Sequence, residues 1–254
     1  MTINQLDNEC LNDFSVTGRV AGTTRSLFVQ NLNNFAGSKA IVQAQVGGEN
    51  SDDAVYRAAI VAGQVWTWGL DNSNLNKFVI AGSTTLGTTD IMQVYPAGQI
   101  NYPRQPMMRA FRSANTVAVT GDNSLYQVIF DTANFDVGGN YNAATGEYTV
   151  PVDGIYSIQS QITFDGIAVT HNLAGAAINV SGDHRVLVQN SPFPTAYIFA
   201  GTSRNNFYMS TTYRCVAGDT IAVVLRVAGN PKSIFVNGDA VLYCETYFCV
   251  NLLG

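Results

Sequence analysis

Charged residues are scarce in this sequence. They make up 12% of the 254 residues, against roughly 25% in an average soluble domain. The net charge is −5 and no basic run occurs, so the chain lacks the charge pattern of proteins that bind nucleic acid or anionic membranes. Low charge is typical of a subunit that covers a large face with copies of itself, and a neutral monomer surface is the alternative.

Long hydrophobic runs are also missing. No stretch reaches the roughly 18 apolar residues that cross a bilayer. The first residues, Met-Thr-Ile-Asn-Gln-Leu-Asp, have no basic segment followed by an apolar core, as a secretory signal has. We therefore expect a protein that is made in a cytoplasm without membrane insertion, unless a signal was trimmed from it.

Enzyme signatures are few as well. His171 and His184 are the only histidines. Neither stands in a metal-protease or nucleophile motif, and we expect both in loops or at strand edges. The aspartates are spread among turns, where they commonly accept backbone hydrogen bonds. The sequence thus predicts no catalytic residue, cofactor or metal site, while a pair of glycosidase carboxylates that converges in space stays open.

The cysteines do not have the spacing of a zinc or redox site. Cys10, Cys215, Cys244 and Cys249 form no Cys-x-x-Cys pair. Because cysteine is among the most buried residue types, we interpret them as free, buried thiols. A disulfide between Cys215 and Cys244 is the alternative.

Alternating polar and apolar residues are abundant in the C-terminal half. Residues 156–164 and 220–227 alternate with period two, as half-buried strands do, and residues 207–215 do so more weakly. Residues 241–253 are almost continuously apolar, which indicates a strand covered on both faces. Asn237-Gly238 predicts a hairpin turn. Together these segments predict antiparallel β-sheet.

The N-terminal part has the spacing of an all-β protein. Residues 1–33 are polar and rich in asparagine, and we interpret them as an attachment segment with one short helix near residues 4–11. Tyr102-Pro103-Arg104-Gln105-Pro106 predicts an extended, semi-rigid linker. The strands predicted between them are residues 40–46, 56–61, 64–70, 77–81 and 91–95.

The stretch 141–156 carries the most specific pattern. It reads Tyr-Asn-Ala-Ala-Thr-Gly-Glu-Tyr-Thr-Val-Pro-Val-Asp-Gly-Ile-Tyr, in which a Thr-Gly turn and a Pro with Asp-Gly bracket a short strand. With its flanking motifs it resembles the globular head of complement C1q, a trimeric jelly roll related to tumour necrosis factor. The residues that carry this resemblance are Phe111, Phe130, Tyr141, Gly146, Tyr148, Pro151, Gly154, Tyr156, Gly218, Asp219 and Phe248.

This resemblance covers about residues 106–254. It implies an all-β fold, a ten-stranded C1q/TNF-like jelly roll β-sandwich preceded by a small β-rich domain, and a homotrimer. Heads of the family sometimes hold an ion near the threefold axis or at a loop, but the sequence contains no Asp-rich calcium loop.

Residues 34–105 resemble a second kind of module. The block Trp66-Thr67-Trp68-Gly69-Leu70-Asp71, with Lys77-Phe78-Val79-Ile80 after it, is similar to the repeated β module of tail fibres and tail spikes of bacteriophages and some large viruses. The self-cleaving chaperone that often follows such modules is absent, and a jelly roll head takes its place. Trp66 and Trp68 face the same side of one strand. We interpret them as a core or intersubunit contact, with a sugar-stacking platform as the alternative.

The segment 190–206 is the best candidate for binding. It is long, proline-bearing and apolar, and a loop beyond about 12 residues is commonly functional. An edge strand over residues 196–200 is the alternative. The predicted contact residues, whose types are common on recognition surfaces, are Phe193, Thr195, Tyr197, Arg204 and Asn205.

The sequence therefore predicts a trimeric viral or phage tail fibre or receptor-binding protein of the virion, with domains at 1–33, 34–105 and 106–254. Its predicted partners are copies of itself, a host-surface glycan or protein bound by loops of the head, and other virion or tail proteins bound through the N-terminus. The alternatives are a structural virion protein whose head serves trimerisation only, and a fibre-borne glycan hydrolase.

Overall fold

The regular structure of this protein is β-sheet. The computed structural model describes Gln30, Leu32 and residues 36–48, 50–190, 204–241 and 245–254. Across those ranges the chain forms seventeen strands and no helix, and so has no helix that could cross a membrane. The strands are β1 (Ala54–Ala59), β2 (Val65–Asp71), β3 (Lys77–Ala81), β4 (Asp90–Val94), β5 (Ile100–Asn101), β6 (Met107–Phe111), β7 (Leu125–Gln127), β8 (Thr132–Val137), β9 (Tyr141–Asn142), β10 (Glu147–Thr149), β11 (Gly154–Asp165), β12 (Leu173–Val180), β13 (Asp183–Asn190), β14 (Asn205–Cys215), β15 (Thr220–Ala228), β16 (Phe235–Val236) and β17 (Tyr247–Leu252).

The first five strands form one antiparallel sheet in sequential order. Trp68 of β2 pairs with Tyr56 of β1 on one side and with Ile80 of β3 on the other. One face of this sheet is covered by the connection between β3 and β4, whose Leu86 packs on the buried Val79. Four of the five strands predicted here are confirmed, and the first one, residues 40–46, is wrong.

The twelve remaining strands form a β-sandwich of two antiparallel sheets. One sheet has the order β13-β12-β15-β10-β9, and β7 also pairs with β15. The other has the order β14-β11-β17-β6-β8, and β16 also pairs with β11. The five strands on each main path are the ten strands of the jelly roll that the sequence implied, with β7 and β16 as short additions.

The core between the two sheets follows from the two-residue period of β11 and β15. Ser160 is the one polar residue on the inner face of β11, and its hydroxyl donates to the Tyr247 carbonyl at 2.9 Å. The buried serine therefore leaves no donor unpaired. The buried apolar residues on the inner faces of these two strands are Tyr156, Ile158, Ile162, Phe164, Ile221, Val223, Leu225 and Val227.

An aromatic cluster lies beside the signature stretch. The Phe248 ring centroid is 5.4 Å from that of Phe130 and 6.3 Å from that of Tyr141, and the Tyr141 hydroxyl donates to the Phe130 carbonyl at 2.7 Å. Gly146 precedes β10 with a φ of +79°, and a Cβ there would lie 2.6 Å from the Val128 carbonyl oxygen. The signature residues thus build part of the core and a close turn against it.

The cysteines of the described ranges are free thiols, as predicted. Cys215 is fully buried and Cys249 is partly buried, which removes the alternative of a disulfide at Cys215. Burial raises the pKa of the Cys215 thiol to about 11. Cys10 and Cys244 lie outside the described residues.

The segment around residues 237–253 differs from the prediction. Residues 239–241 form a turn in which the Val241 amide donates to Asp239 Oδ1, so the last strand begins only at Tyr247. Asn237-Gly238 is not a hairpin turn, because β16 and β17 both pair with β11 rather than with each other. The Asn237 amide donates instead to the Thr163 carbonyl at 2.8 Å.

The linker and residues 40–46 also differ from the prediction. The linker contains a turn rather than a fully extended chain, because the Gln105 amide donates to the Tyr102 carbonyl at 3.1 Å. In place of a strand at residues 40–46, the Val42 carbonyl accepts a hydrogen bond from the Tyr56 hydroxyl. The helix predicted near residues 4–11 lies outside the described residues, and the division of the chain into domains stays a prediction.

Replacing Gly146 with alanine should destabilise the fold more than replacing Gly139. Both glycines have positive φ, but a Cβ at Gly139 would meet nothing within 4 Å. Gly139→Ala should therefore cost about 1–2 kcal/mol of unfolding free energy for the backbone conformation alone. Gly146→Ala should add about 1–3 kcal/mol, because the Val128 carbonyl must move. Denaturant unfolding at one chain concentration measures both, and equal losses would contradict the assigned turn.

Candidate functional site

Several connections of the sandwich meet at the end opposite the linker. At the linker end, the Leu252 amide donates to the Pro106 carbonyl at 2.9 Å. The opposite end, called the distal end here, carries the β6–β7, β11–β12, β15–β16 and β16–β17 connections. β13 also ends there and β14 begins there, while residues 191–203 between them lie outside the described residues.

An ion-pair cluster around Arg204 joins four segments at the distal end. Arg204 Nη1 lies 2.6 Å from Glu245 Oε1, and its Nε lies 3.4 Å from Asp165 Oδ2. Asn237 Nδ2 donates to the same Asp165 oxygen at 2.6 Å. These residues come from the start of β14, the end of β11, the residue after β16 and the approach to β17, so the cluster fixes where these segments enter the distal end.

Within this cluster Arg204 can still donate hydrogen bonds, but its positive charge is already neutralised. Its side chain is 53% exposed, and two carboxylates offset its charge. The planar guanidinium keeps further N–H groups for a ligand oxygen. Partly exposed ion pairs of this kind contribute only about 0–1 kcal/mol to stability. The Asn237 side chain is 1% exposed, and its Oδ1 has no partner within the described ranges.

The structure brings only part of the predicted contact set into view. Phe193, Thr195 and Tyr197 lie outside the described residues. Arg204 immediately precedes β14, and Asn205 begins that strand opposite Phe164 of β11. Both residues therefore lie at the distal end, and their part in binding stays a prediction.

Sequence reasoning missed the partners of Arg204. Asp165 and Glu245 stand 39 and 41 residues away from it, and Asn237 stands 72 residues from Asp165. No local pattern connects them. The pairing of β16 and β17 with β11 brings them together, and that pairing becomes visible only once the strand order is known.

The signature residues at the linker end stabilise turns. Asp219 Oδ1 accepts from Ser181 Oγ at 2.7 Å, and its Oδ2 accepts from the Val216 amide at 2.9 Å. These hydrogen bonds lower the pKa of Asp219. A Cβ at Gly154 would lie 2.5 Å from Leu252 Cδ1. These residues shape the sandwich far from the distal end.

The outer face of the β14-β11-β17-β6-β8 sheet carries little charge. Arg109 is the one charged residue in its three central rows, within the described strands, and its guanidinium lies 5.3 Å from the centroid of the Tyr247 ring. Burial raises the pKa of the neighbouring Cys249 thiol. The side chains of the three rows are Tyr208, Gln161, Tyr247 and Phe111, then Ser210, Gln159, Cys249 and Arg109, then Thr212, Ser157, Asn251 and Met107.

A shallow trough of about 160 Å³ crosses the outer face of the opposite sheet. Gly175, Ala177 and Val224 form its floor, because their small side chains leave space above the sheet. His184 and Arg226 stand at its rim. None of the described residues that line the trough is Phe, Tyr or Trp, so it fits a small apolar group better than a pyranose ring.

The histidines lie where the sequence predicted. His171 is in the β11–β12 connection, and His184 is on the edge strand β13. The Ala168 amide donates to His171 Nδ1 at 2.8 Å, while His171 Nε2 is buried without a partner among the described residues. Burial lowers the pKa of His171. Over the same ranges, no group of three or more His, Cys, Asp or Glu side chains could hold a metal ion.

One known protein family matches part of the sandwich. Residues 110–193 match the C1q domain. The match covers 84 of the 254 residues and begins in β6. Together with the two six-stranded sheets, it supports the C1q/TNF-like jelly roll assigned to residues 106–254, called the head from here on.

Two solved structures are similar to part of this chain. The globular domain of zebrafish complement 1qA shares 14% identity at a TM-score of 0.40, over 59% of this chain and 98% of that one. Murine APRIL shares 17% identity at a TM-score of 0.42, over 59% of this chain and 99% of that one. No curated protein matches the sequence.

His171 should make the stability of the head depend on pH. Its pKa is lowered in the folded state, so the unfolded chain binds more protons, and stability should fall as pH drops below about 6.5, by at most about 1.4 kcal/mol per pH unit. His171→Asn should remove this slope, and His184→Asn, at an exposed position, should retain it. Denaturant unfolding between pH 7.5 and pH 5 measures the slopes, and a parental slope in His171→Asn would contradict the assignment.

Proposed function

We propose that the protein is a homotrimeric receptor-binding protein whose jelly roll heads contact a host-surface glycan or protein through their distal ends. The observation that carries this proposal is the division of the head into two surfaces. One is the outer face of the β14-β11-β17-β6-β8 sheet, whose three central rows carry Arg109 as their one charged residue within the described strands. The other is the distal end, where several connections and the Arg204 cluster meet.

The low charge of this sheet face supports self-association. Interface cores are depleted in charge and enriched in aromatic residues and arginine. Tyr208 on this face is exposed in the single chain, and Arg109 already lies against the Tyr247 ring. Packing this face against two further copies would cover these side chains and leave the distal ends side by side around one axis.

The trimer turns a weak contact into a tight one. Three distal ends on one rigid assembly make the second and third binding events intramolecular, which commonly raises avidity by about 10²-fold or more when all sites can engage. Each distal end then needs only a modest ligand contact. The half-exposed Arg204 guanidinium suits such a contact, because it can donate to carboxylate or hydroxyl oxygens.

The viral setting belongs to this proposal and rests on the sequence of residues 34–105. That region resembles tail fibre and tail spike modules, and in the structure its strands β1 to β5 precede the head directly. We place the protein in the virion as a tail fibre or surface protein. Other virion or tail proteins would bind its N-terminal segment.

A structural role without a ligand is the second candidate. The offset charge of Arg204 favours it, because the cluster with Asp165 and Glu245 is complete without any ligand. In that case the head would serve trimerisation only. A fibre-borne hydrolase is the third candidate. If it were correct, incubating the protein with host polysaccharide would release new reducing ends.

Substituting the distal end should separate these candidates. The intact chain should have a mass near 82 kDa by light scattering after size exclusion, three times 27.3 kDa. Arg204→Ala should leave that mass unchanged and weaken binding to host cells or arrayed glycans by roughly tenfold or more, as a contact worth about 1.4 kcal/mol would.

The matched control is Arg185→Ala. Arg185 also makes a surface ion pair, with Asp183 at 3.2 Å, but it lies on the turn side of β13, away from the distal end. Arg185→Ala should therefore bind host cells or arrayed glycans as strongly as the parent. A monomeric mass would refute the trimer. A trimer that binds neither host cells nor arrayed glycans would favour the structural role, and a trimer whose host binding is unaffected by Arg204→Ala and Tyr197→Ala would refute the distal end as the binding surface.

A further inference from the structure

One face of the N-terminal sheet is apolar, and no described segment of the chain packs over it. The side chains of β2 at Trp66, Trp68 and Leu70 point to the same side, because they are two residues apart on one strand. Their cross-strand neighbours lie on that side too, since directly paired residues share a face. The apolar face, as it is called here, consists of Tyr56, Trp66, Trp68, Leu70, Phe78, Ile80, Met92, Val94 and Ile100.

Among the described residues the apolar face has no layer over it, although the Tyr56 hydroxyl at its edge donates to the Val42 carbonyl at 2.7 Å. The Tyr56 and Trp68 rings stack with centroids 6.3 Å apart and an interplanar angle of 23°. The opposite face is the one that the β3–β4 connection covers, with Thr67 and Val79 fully buried. The sheet therefore has one completed side and one side made only of apolar and aromatic residues.

The exposed area equals that of the largest apolar patch on many monomers, which is often functional. Trp66, Leu70, Phe78 and Ile100 are 42%, 49%, 37% and 56% exposed. With roughly 200 Å² for a large side chain, these four alone leave about 350 Å² uncovered. A continuous apolar patch of this size commonly marks an interaction surface.

We propose that the apolar face is a second self-association surface, on which three copies of the sheet pack against one another around the axis of the trimeric head. The inference rests on the trimer proposed above for its symmetry. None of the nine residues of the face carries a charge, so the face has no group to pair with a charged partner. Three such faces would together bury about 1,000 Å², or about 350 Å² for each pair of chains, which adds to the contact between the heads and is too small to hold a trimer alone.

The linker makes a copy of the same chain the natural occupant. Residues 102–106 are short and are tied to the head, because Gln105 Nε2 donates to the Leu252 carbonyl at 2.6 Å. Three heads around one axis therefore carry three sheets to within a short distance of that axis. A flat apolar face repeated three times resembles the interfaces of obligate homo-oligomers, which are more hydrophobic than transient ones.

The two tryptophans of the chain report on this face directly. Trp66 and Trp68 are the only tryptophans, and both belong to it. In the full-length trimer we expect blue-shifted emission and acrylamide quenching several-fold weaker than in the unfolded chain. A chain with trimeric mass whose tryptophans are quenched freely would overturn this inference and leave the trimeric head standing. A monomeric mass would overturn both.

Cysteine cross-linking identifies what covers the face. Phe78 lies on β3, the middle strand of the sheet, so its three copies should meet near the axis. Phe78→Cys and Leu70→Cys should give disulfide-linked pairs of chains on a non-reducing gel after mild oxidation. Val61→Cys, in the β1–β2 turn and 98% exposed, should give no more than the parent. If acrylamide quenches the tryptophans weakly but neither cysteine variant forms cross-links, something other than a second copy of the sheet covers the apolar face. That result would overturn the inference.

Discussion

The pairing of β11 with β14 and β17 is the constraint on which the head depends. β11 is twelve residues long, and its register with both neighbours fixes which side chains point inward. A slip of one residue would move Ile158 and Ile162 out of the core and bring Gln159 and Gln161 into it. The same pairing sets the positions of Asp165 and Glu245, so the distal cluster is a consequence of the core register. Ser160 stabilises that register through its hydrogen bond to the Tyr247 carbonyl.

The sandwich and the N-terminal sheet bury their apolar side chains in different ways. The sandwich buries the inner faces of both sheets against each other and needs no partner for its core. The N-terminal sheet has one side that described residues cover, with Leu86 over Val79, and its other side carries both tryptophans. The low charge of the sequence fits this difference, because the apolar face carries no charge and the three central rows on the outer face of the β14-β11-β17-β6-β8 sheet carry only Arg109.

Much of the fold could be predicted from the sequence, because local periodicity and turn chemistry decide it. The strands around Tyr156 and Ile221 alternate cleanly, and Gly146 is required by its positive φ. Residues 241–253 misled the prediction, because apolar composition does not distinguish a strand from a turn whose backbone is held by Asp239. The prediction at Asn237-Gly238 was wrong for a related reason, since a turn pattern does not determine which strand the following segment pairs with. The Arg204 cluster could not be predicted, because its members meet only through long-range strand pairing.

The adjoining positions of Pro106 and Leu252 have an evolutionary consequence. The chain enters the head through β6 and completes it through β17, and these two strands are hydrogen-bonded neighbours at the linker end. Insertions or deletions in the connections at the far end therefore leave the attachment to the preceding module untouched. The far end can therefore diversify, or the whole sandwich can be exchanged, while the joint with the preceding sheet stays the same.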